Sequence, residues 1–316
     1  GRTAYRVCAH QRQPQQAISY RELRELELKV LRADHDLSAH KGQLAVDVHG
    51  LIGVNVDQFF GIEIEEFPAQ IAQVALWLVD HQMNLRVSVE FGLYFARIPL
   101  ISSPGIRHDN ALRLDWNDVL PAQRCSYVLG NPPFLGYSYQ SKTQKADLSA
   151  VVHGIHGAGV LDFVCGWYIL AARYLQATHS RAAFVSTNSI TQGEHVALLW
   201  GEMQRLGMHI HFAHRTFQWS NEAKGNAAVH CVIIGFGNDD QAVKTIYDYE
   251  DIKGLPLAVP AKNINPYLVD APTVFLRKQR IPLFTNAQMT RGSSPVDGGN
   301  LLMNDTEKIA LLVVEP

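Results

Sequence analysis

Short apolar runs and helical apolar stripes alternate along this 316-residue chain. Runs rich in branched and aromatic residues predict β-strands, because such side chains fit a pleated, buried surface. We expect strands at residues 57–63, 125–129, 182–188, 209–212 and 227–236. Strands that alternate with helices predict an α/β fold with a mostly parallel sheet, since a helix connects each pair of parallel strands.

Helices are predicted where apolar residues recur every three or four positions. The first is expected to be capped by Ser19 and the second to begin at Pro68. The predicted buried face of the first helix comprises Leu23, Leu26, Val30 and Leu31. The predicted buried face of the second helix comprises Ile71, Val74, Ala75, Leu78 and Val79. Two further helices are expected at residues 161–175 and 196–206.

The composition limits the class of protein. Hydrophobic residues make up 47% and charged residues 18% of the chain, which is typical of a globular domain. No apolar run reaches the roughly eighteen residues that span a bilayer and no signal-peptide pattern opens the chain, so we expect a cytoplasmic protein. The cysteines lack metal-ligand spacing, which favours buried thiols in a reducing compartment. They are Cys8, Cys125, Cys165 and Cys231.

The most informative stretch follows the predicted strand at 125–129 and reads Gly130-Asn131-Pro132-Pro133-Phe134. Proline fixes φ at about −65° and has no N–H, so two successive prolines make a rigid turn. Open α/β sheets bind ligands at the carboxyl ends of their strands. There an amide oxygen, a fixed carbonyl and an aromatic face suit recognition of a planar amino group. An ordinary Pro-Pro turn is the structural alternative.

Asn-Pro-Pro-Phe after an apolar strand resembles motif IV of the S-adenosylmethionine-dependent methyltransferases that modify adenine N6 in DNA. Residues 115–121 and 216–223 resemble the methyltransferase core of MmeI-like (type IIL/IIG) restriction-modification enzymes. The resemblance implies a Rossmann-like class I fold, a mostly parallel sheet with an antiparallel C-terminal hairpin, and S-adenosyl-L-methionine as cofactor. It also implies double-stranded DNA with a flipped adenine as substrate, and target-recognition and nuclease segments elsewhere in one polypeptide.

The resemblance further implies a set of site residues, none of which binds a metal. The expected catalytic residues are Asn131, Pro132, Pro133 and Phe134. The expected cofactor-binding residues are Glu63, Ile64, Asn110 and Ala111. The flipped base is expected to contact Phe134, Phe217 and Trp219. In an alternative interpretation, the two later aromatic residues pack under a hairpin.

Two of the cofactor assignments have physical support and open alternatives. Glu63 ends a predicted strand, where a carboxylate can accept hydrogen bonds from both ribose hydroxyls; a solvated or helix-capping acid is the alternative. Asn110 matches a family position that commonly holds an Asp in contact with the adenine amino group. An Asn carbonyl can accept the same bond. Asp109 is adjacent, so the match permits either residue.

The two ends of the chain depart from this pattern. Residues 1–18 lack periodicity and predict irregular structure, and no Gly-rich turn precedes the first helix. Because the family carries its Gly-containing motif I at this place, we expect an altered or missing cofactor loop. Residues 19–252 are predicted to form the methyltransferase core. Residues 253–316, with recurrent prolines, are predicted to be a connector towards an absent target-recognition domain.

Three functions fit these observations. The first is a site-specific DNA adenine-N6 methyltransferase. The second is a glutamine-N5 protein or RNA base methyltransferase. Those families often carry Asn-Pro-Pro-Tyr, so the phenylalanine at position 134 disfavours this second function. The third is a catalytically silent fragment that needs missing segments. A net charge of −2 without a dense basic run favours this third function, since surfaces that bind duplex phosphates usually cluster Lys and Arg.

Overall fold

The computed structural model describes residues 5–10, 15–40, 52–91, 103–219, 229–276, 304–306 and 308–309. Within these residues the strands are β1 (Tyr5–His10), β2 (Phe59–Glu63), β3 (Gly105–His108), β4 (Cys125–Gly130), β5 (Arg181–Thr187), β6 (His209–Trp219), β7 (Val229–Gly237), β8 (Lys244–Asp248) and β9 (Leu257–Ala261). The helices are α1 (Gln15–His40), α2 (Glu66–Phe91), α3 (Lys142–Val151), α4 (Cys165–Tyr174), α5 (Gly193–His195) and α6 (Gly201–Arg205). A π-helical segment, Val196–Trp200, joins α5 to α6.

The strands form one sheet in the order β3-β2-β1-β4-β5-β7-β6-β8-β9. Strands β1 to β5 are parallel, and β7 lies antiparallel between β5 and β6. Strand β8 is parallel to β6, and β9 is antiparallel to β8. These pairings confirm the predicted α/β fold with a mostly parallel sheet and an antiparallel hairpin. The residues that follow β2, β3, β4 and β5 therefore meet at one edge of the sheet.

The N-terminal segment contains a central strand, where the sequence predicted irregular structure. Strand β1 pairs in parallel with β2 on one side and with β4 on the other. Arg6 and His10 interrupt its apolar pattern, so its place in the sheet is determined by pairing on both sides rather than by composition. Helix α1 begins at Gln15, and Ser19 lies within it rather than at its cap. Residues 11–14, where the family carries its cofactor loop and this chain was expected to have it altered or missing, lie outside the described residues.

Helices α1 and α2 pack together through a face that was predicted only in part, since Leu31 of α1 is buried as predicted. Leu26 and Val30 of α1, and Ile71, Val74 and Leu78 of α2, are exposed. The buried positions of the pair include polar residues, which apolar periodicity cannot identify. Their contacts join Tyr20 to Asp80, Arg24 to Asn84, Arg24 to the Val54 carbonyl, and Asn84 to Asp80. These buried polar groups are hydrogen-bonded to one another, which offsets the cost of removing them from water.

Helix α4 is almost entirely buried, and it begins near the carboxyl ends of the parallel strands. Tyr168 packs against Phe184 and Phe236, with ring centroids 5.2 and 5.5 Å apart, and its hydroxyl lies 3.0 Å from Ser186 Oγ. Gly166 allows the turn after β3 to approach closely, because an added Cβ would lie 2.9 Å from Leu112 Cδ2. Packing on all sides holds α4 in place, and it therefore also fixes the loop that leads into it.

The C-terminal part of the sheet is larger than predicted. Strand β6 extends to Trp219, and β8 and β9 add to an edge where the sequence predicted no strands. Residues up to Leu276 form one compact unit, which continues past the predicted start of the connector at residue 253. Residues 277–316 form a second unit, and all of it except 304–306 and 308–309 lies outside the described residues.

Two general expectations can be compared with the described part of the chain. Cys125, Cys165 and Cys231 are buried free thiols, as predicted, whereas the side chain of Cys8 lies outside the described residues. Among the helices described, none combines the length and the apolar character needed to cross a bilayer.

Candidate functional site

The Asn-Pro-Pro-Phe stretch leaves the sheet directly at the carboxyl end of β4, as predicted. Pro132 is buried, while Asn131 and Phe134 are partly exposed. The Oδ1 atom of Asn131 is itself buried and has no hydrogen-bond partner among the described residues. Buried side-chain acceptors are normally paired, and leaving one unpaired costs about 1–3 kcal/mol. This edge of the sheet therefore holds a buried acceptor that no described residue satisfies.

A cavity of about 480 Å³ opens beside the carboxyl ends of β2 and β3. Its walls combine apolar and polar side chains from these strand ends, from α3 and from the start of α4. The lining residues are Ile62, Ile64, His108, Asp109, Asn110, Ala111, Arg113, Thr143, Gln144, Asp147, Phe163 and Trp167. Ile64, Asn110 and Ala111, three of the four predicted cofactor residues, are thus brought together on one cavity. Asn131 and Phe134 do not line it.

The turns after β2 and β3 are held against each other beside this cavity. Glu63 is buried at the end of β2, and its carbonyl accepts the Asp109 N–H at 2.8 Å. The Nε2 atom of His108 lies 3.1 Å from the Ile64 carbonyl oxygen. Ile64 is 40% exposed and presents an apolar surface to the cavity. Glu63 and Ile64, both predicted to bind the cofactor, therefore lie in a turn that hydrogen bonds hold against the turn after β3.

The Asn110 side chain is engaged by the protein at both ends. Its Oδ1 accepts the Leu112 N–H at 2.9 Å, and its Nδ2 donates to Asp147 Oδ2 at 3.0 Å. The neighbouring Asp109 has a 40% exposed carboxylate that also lines the cavity. Of the two candidates that the sequence left open, Asp109 thus has the more accessible acceptor.

Asp147 of α3 links that helix to the turn after β3. Its buried carboxylate accepts hydrogen bonds from Asn110 Nδ2 and from Arg113 Nε, the latter at 2.7 Å. These contacts hold α3, which contributes Thr143 and Gln144 to the cavity wall, against the turn that contributes Asn110. The width of the cavity is therefore set in part by Asp147.

Phe217, a predicted contact of the flipped base, lies in an aromatic cluster at the end of β6. Its ring stacks on Tyr249 at 5.4 Å between centroids and meets the edge of His214 at 6.4 Å. Burial lowers the pKa of His214, so this imidazole is neutral at pH 7. The backbone of Trp219 pairs with Val229 at the same strand end, and its side chain lies outside the described residues.

Several cavity residues were not predicted from the sequence. Phe163 and Trp167 were assigned only to a buried helix, because helical periodicity does not tell which residues line a cavity and which lie in the core. Asp147 lies on α3, which lacks a continuous apolar stripe and gave no clear local signal. Their role depends on how α3 and α4 pack over the strand ends, which is a tertiary feature.

The sheet order, the reversed strand β7 between β5 and β6, and the cavity at the carboxyl ends of β2 and β3 define a Rossmann-like class I methyltransferase fold. More narrowly, the chain belongs to the family of MmeI DNA-methyltransferase domains, whose model matches residues 16–248. The predicted MmeI-like restriction-modification methyltransferase core is confirmed at the level of this family.

Two relatives carry this assignment. The chain is similar to the structure of the type IIL restriction-modification enzyme MmeI in complex with DNA, with a TM-score of 0.89 and 55% identity over 99% of this chain and 42% of that chain. It is 37% identical, over 92% of its length, to DNA methyltransferase A of Bacillus subtilis (strain 168). The match covers 32% of that relative, so the chain spans about a third of its length.

Proposed function

We propose that this chain transfers a methyl group from S-adenosyl-L-methionine to the N6 amino group of adenine in double-stranded DNA, as part of a restriction-modification enzyme. The observation that carries the proposal is the buried Oδ1 of Asn131, which no described residue bonds and which directly precedes the rigid Pro132-Pro133 turn. An amino group that donates to this oxygen would remove the cost of its burial. Membership of the MmeI family supports the reaction type.

The residues of the large cavity fit the adenosine part of the cofactor. Ile62, Ile64 and Phe163 offer apolar surface for a flat ring, and the Asp109 carboxylate offers an acceptor for its amino group. Glu63, buried at the end of β2 between the cavity-lining residues Ile62 and Ile64, is proposed to accept bonds from ribose hydroxyls. When bound, the cofactor supplies a strongly electrophilic sulfonium methyl group. Residues 11–14, which follow β1, lie outside the described residues, so this fit concerns the adenosine end.

The protein's task at the acceptor amine is orientation. The N6 lone pair of adenine is delocalised into the ring, which makes the amine a weak nucleophile. Asn131 Oδ1 and the Pro132 carbonyl would accept its two hydrogens and favour a tetrahedral nitrogen with a localised lone pair. Catalysis then consists of positioning and electrostatic stabilisation, with no covalent intermediate on the protein.

The base would be held by aromatic contact. An adenine in a duplex cannot reach a turn at the edge of the sheet unless it is rotated out of the stack. Phe134 is partly exposed immediately after the two prolines, and stacking on its ring would stabilise such a base by about 1–3 kcal/mol. Phe217 and Trp219 are proposed as contacts from the β6 side, with Phe217 supported there by Tyr249.

Most of the grip on DNA phosphates is proposed to come from other parts of the polypeptide. The chain has a net charge of −2, which does not favour an extended contact with a polyanion. It covers 42% of the MmeI chain whose structure contains DNA. Target-recognition and nuclease segments of the same polypeptide are therefore the proposed partners of this domain.

The test is a methyl-transfer assay on the intact protein with radiolabelled S-adenosylmethionine. Duplex DNA, structured RNA and a glutamine-containing protein substrate would be supplied in parallel, followed by identification of the modified nucleoside or residue. We expect label in N6-methyladenine of duplex DNA alone. Label in RNA or protein would overturn the substrate assignment.

Calorimetric titration of the same protein with S-adenosylmethionine separates the remaining outcomes. We expect binding in the micromolar range, which corresponds to about −8 kcal/mol. Binding without transfer to any substrate would contradict the proposed activity while retaining the cofactor site. A folded protein that shows no binding would support the catalytically silent alternative.

A further inference from the structure

Asp162 is a shielded carboxylate that the proposed chemistry does not use. It lies in the loop just before α4, and its side chain is 14% exposed. Its Oδ1 accepts the Tyr137 N–H at 3.2 Å, and its Oδ2 accepts the Ser189 hydroxyl at 2.5 Å. The Nε2 atom of His195 lies 3.2 Å from the Asp162 backbone nitrogen and 3.4 Å from Oδ1. One carboxylate therefore joins the loop after β4 to the turn after β5.

The residues on either side of Asp162 bind the same loop. The Phe163 N–H donates to the Leu135 carbonyl at 2.9 Å, directly after the Asn-Pro-Pro-Phe stretch. The Gln140 side chain donates to the Leu161 carbonyl at 3.0 Å. Three successive residues before α4 thus contact residues 135–140. We call this set of contacts from residues 161–163 the loop clamp.

The loop needs such contacts because it has few of its own. Pro132 and Pro133 have no N–H to donate. The loop's internal backbone hydrogen bonds run from the Leu135 N–H to the Pro133 carbonyl and from the Tyr139 N–H to the Gly136 carbonyl. A reacting group misplaced by about 1 Å can lose about 10²-fold in rate. The position of Asn131 therefore depends on contacts from outside the loop, and α4 is a rigid support for them.

We propose that Asp162 is a positioning residue that holds the Asn131–Phe134 turn in its productive place through Tyr137 and Ser189. The proposal rests on the proposed function, because it assigns a role in the same methyl transfer. Asp162 acts through the backbone of the loop and through the turn after β5. Because Asp162 itself does not line the cavity, we expect it to affect the rate of the chemical step far more than cofactor binding.

The experiment compares Asp162→Ala, Asp162→Asn and Asp239→Ala with the unchanged intact protein. Asp239 is the matched control, since it also pairs with a histidine, His211, and with Arg181, but at the amino end of β5, the opposite edge of the sheet. Three quantities are measured: kcat for DNA methylation, the Kd of S-adenosylhomocysteine by calorimetry, and backbone hydrogen exchange of residues 135–140.

Asp162→Ala is expected to lower kcat by about 10- to 100-fold while the Kd changes less than about twofold. The Tyr137 amide should exchange faster, because it loses its acceptor. Asp162→Asn keeps an oxygen for the Tyr137 N–H, so it should restore much of both the protection and kcat. Asp239→Ala should leave kcat, Kd and this exchange unchanged.

Two results would overturn the role of Asp162. One is an unchanged kcat in Asp162→Ala despite faster exchange of the loop. The other is a Kd that rises in proportion to the loss of kcat. If the protein without substitutions binds the cofactor but methylates no adenine, the proposed function itself is overturned, and with it the role of Asp162 in catalysis.

Discussion

The cavity beside β2 and β3 and the turn after β4 lie at the same edge of the sheet, yet their polar groups are in opposite states. On the cavity side, Asn110 and Asp147 are engaged by Leu112, Arg113 and each other. On the turn side, the buried Oδ1 of Asn131 has no partner in the described part of the chain. Among the described residues, the polar groups are thus paired in one region, and one acceptor is left without a partner in the other.

This difference fits the proposed tasks of the two regions. A cofactor site benefits from a wall whose shape persists before binding, because less ordering then opposes binding. A catalytic acceptor must be free to bond a reacting amine, and protein partners would compete with it. The cavity therefore provides affinity and the turn provides rate. Mutations in the two regions should separate these quantities.

The largest effect is expected for Asn131→Ala. Removing one pre-oriented polar group at the reacting centre typically costs about 10²–10³ in kcat. The Kd of S-adenosylmethionine should stay within about twofold, since Asn131 does not line the cavity. Single-turnover methylation and calorimetry would measure the two quantities. Asn117→Ala is the control, because Asn117 bonds the Ala122 N–H before β4 and should affect stability alone. Retained turnover in Asn131→Ala would remove Asn131 from the mechanism.

The complementary effect is expected for Glu63→Gln. Hydrogen bonds to a charged acceptor contribute about 1.5–3 kcal/mol, so the Kd of S-adenosylmethionine should rise about 10- to 100-fold. At saturating cofactor, kcat should be nearly unchanged. Glu65→Gln is the matched control, because Glu65 is exposed in the turn that follows. Equal affinity in Glu63→Gln and the unchanged protein would place the ribose contact elsewhere.

A smaller effect distinguishes Asp109 from Asn110. S-inosylhomocysteine carries a carbonyl where S-adenosylhomocysteine carries the amino group, so an acceptor on the protein should discriminate against it. We expect Asp109→Ala to weaken S-adenosylhomocysteine binding several-fold, within the range of one hydrogen bond, and to remove this discrimination. Asn110→Ala should instead lower thermal stability, because its bonds to Leu112 and Asp147 hold the turn. Discrimination lost in Asn110→Ala alone would restore the original assignment of Asn110.

The predictions were correct where several signals within a few residues indicate the same structure. Strand β4 and its turn were identified because an apolar run and two prolines act within a few residues. The faces of α1 and α2 were predicted only in part, because Arg24 and Asp80 are buried through partners distant in sequence. Strand β1 was missed because its pairing with β2 and β4 outweighs a weak apolar pattern. The cavity residues Phe163 and Trp167, and the Asp162 loop clamp, arise only when α4 packs beside the strand ends.

The smallest expected effect is a pH dependence of the free energy of unfolding, caused by the Asp162 carboxylate near the turn after β4. Burial raises the pKa of Asp162, but His195, the Ser189 hydroxyl and the Tyr137 N–H lower it by more, so it lies below its ordinary value. Because the folded-state pKa is the lower one, Asp162 stabilises the fold above about pH 3.9, and this contribution is lost as the pH falls through the folded-state pKa.

Urea unfolding of the unchanged protein and of Asp162→Asn from pH 5 to pH 3 would test this dependence. The unchanged protein should be the more stable at pH 5, and the two curves should converge towards pH 3. A difference that stays constant over the range would contradict a stabilising charge at Asp162. In that case the neutral amide of Asp162→Asn would make the hydrogen bonds of the loop clamp as well as the carboxylate does.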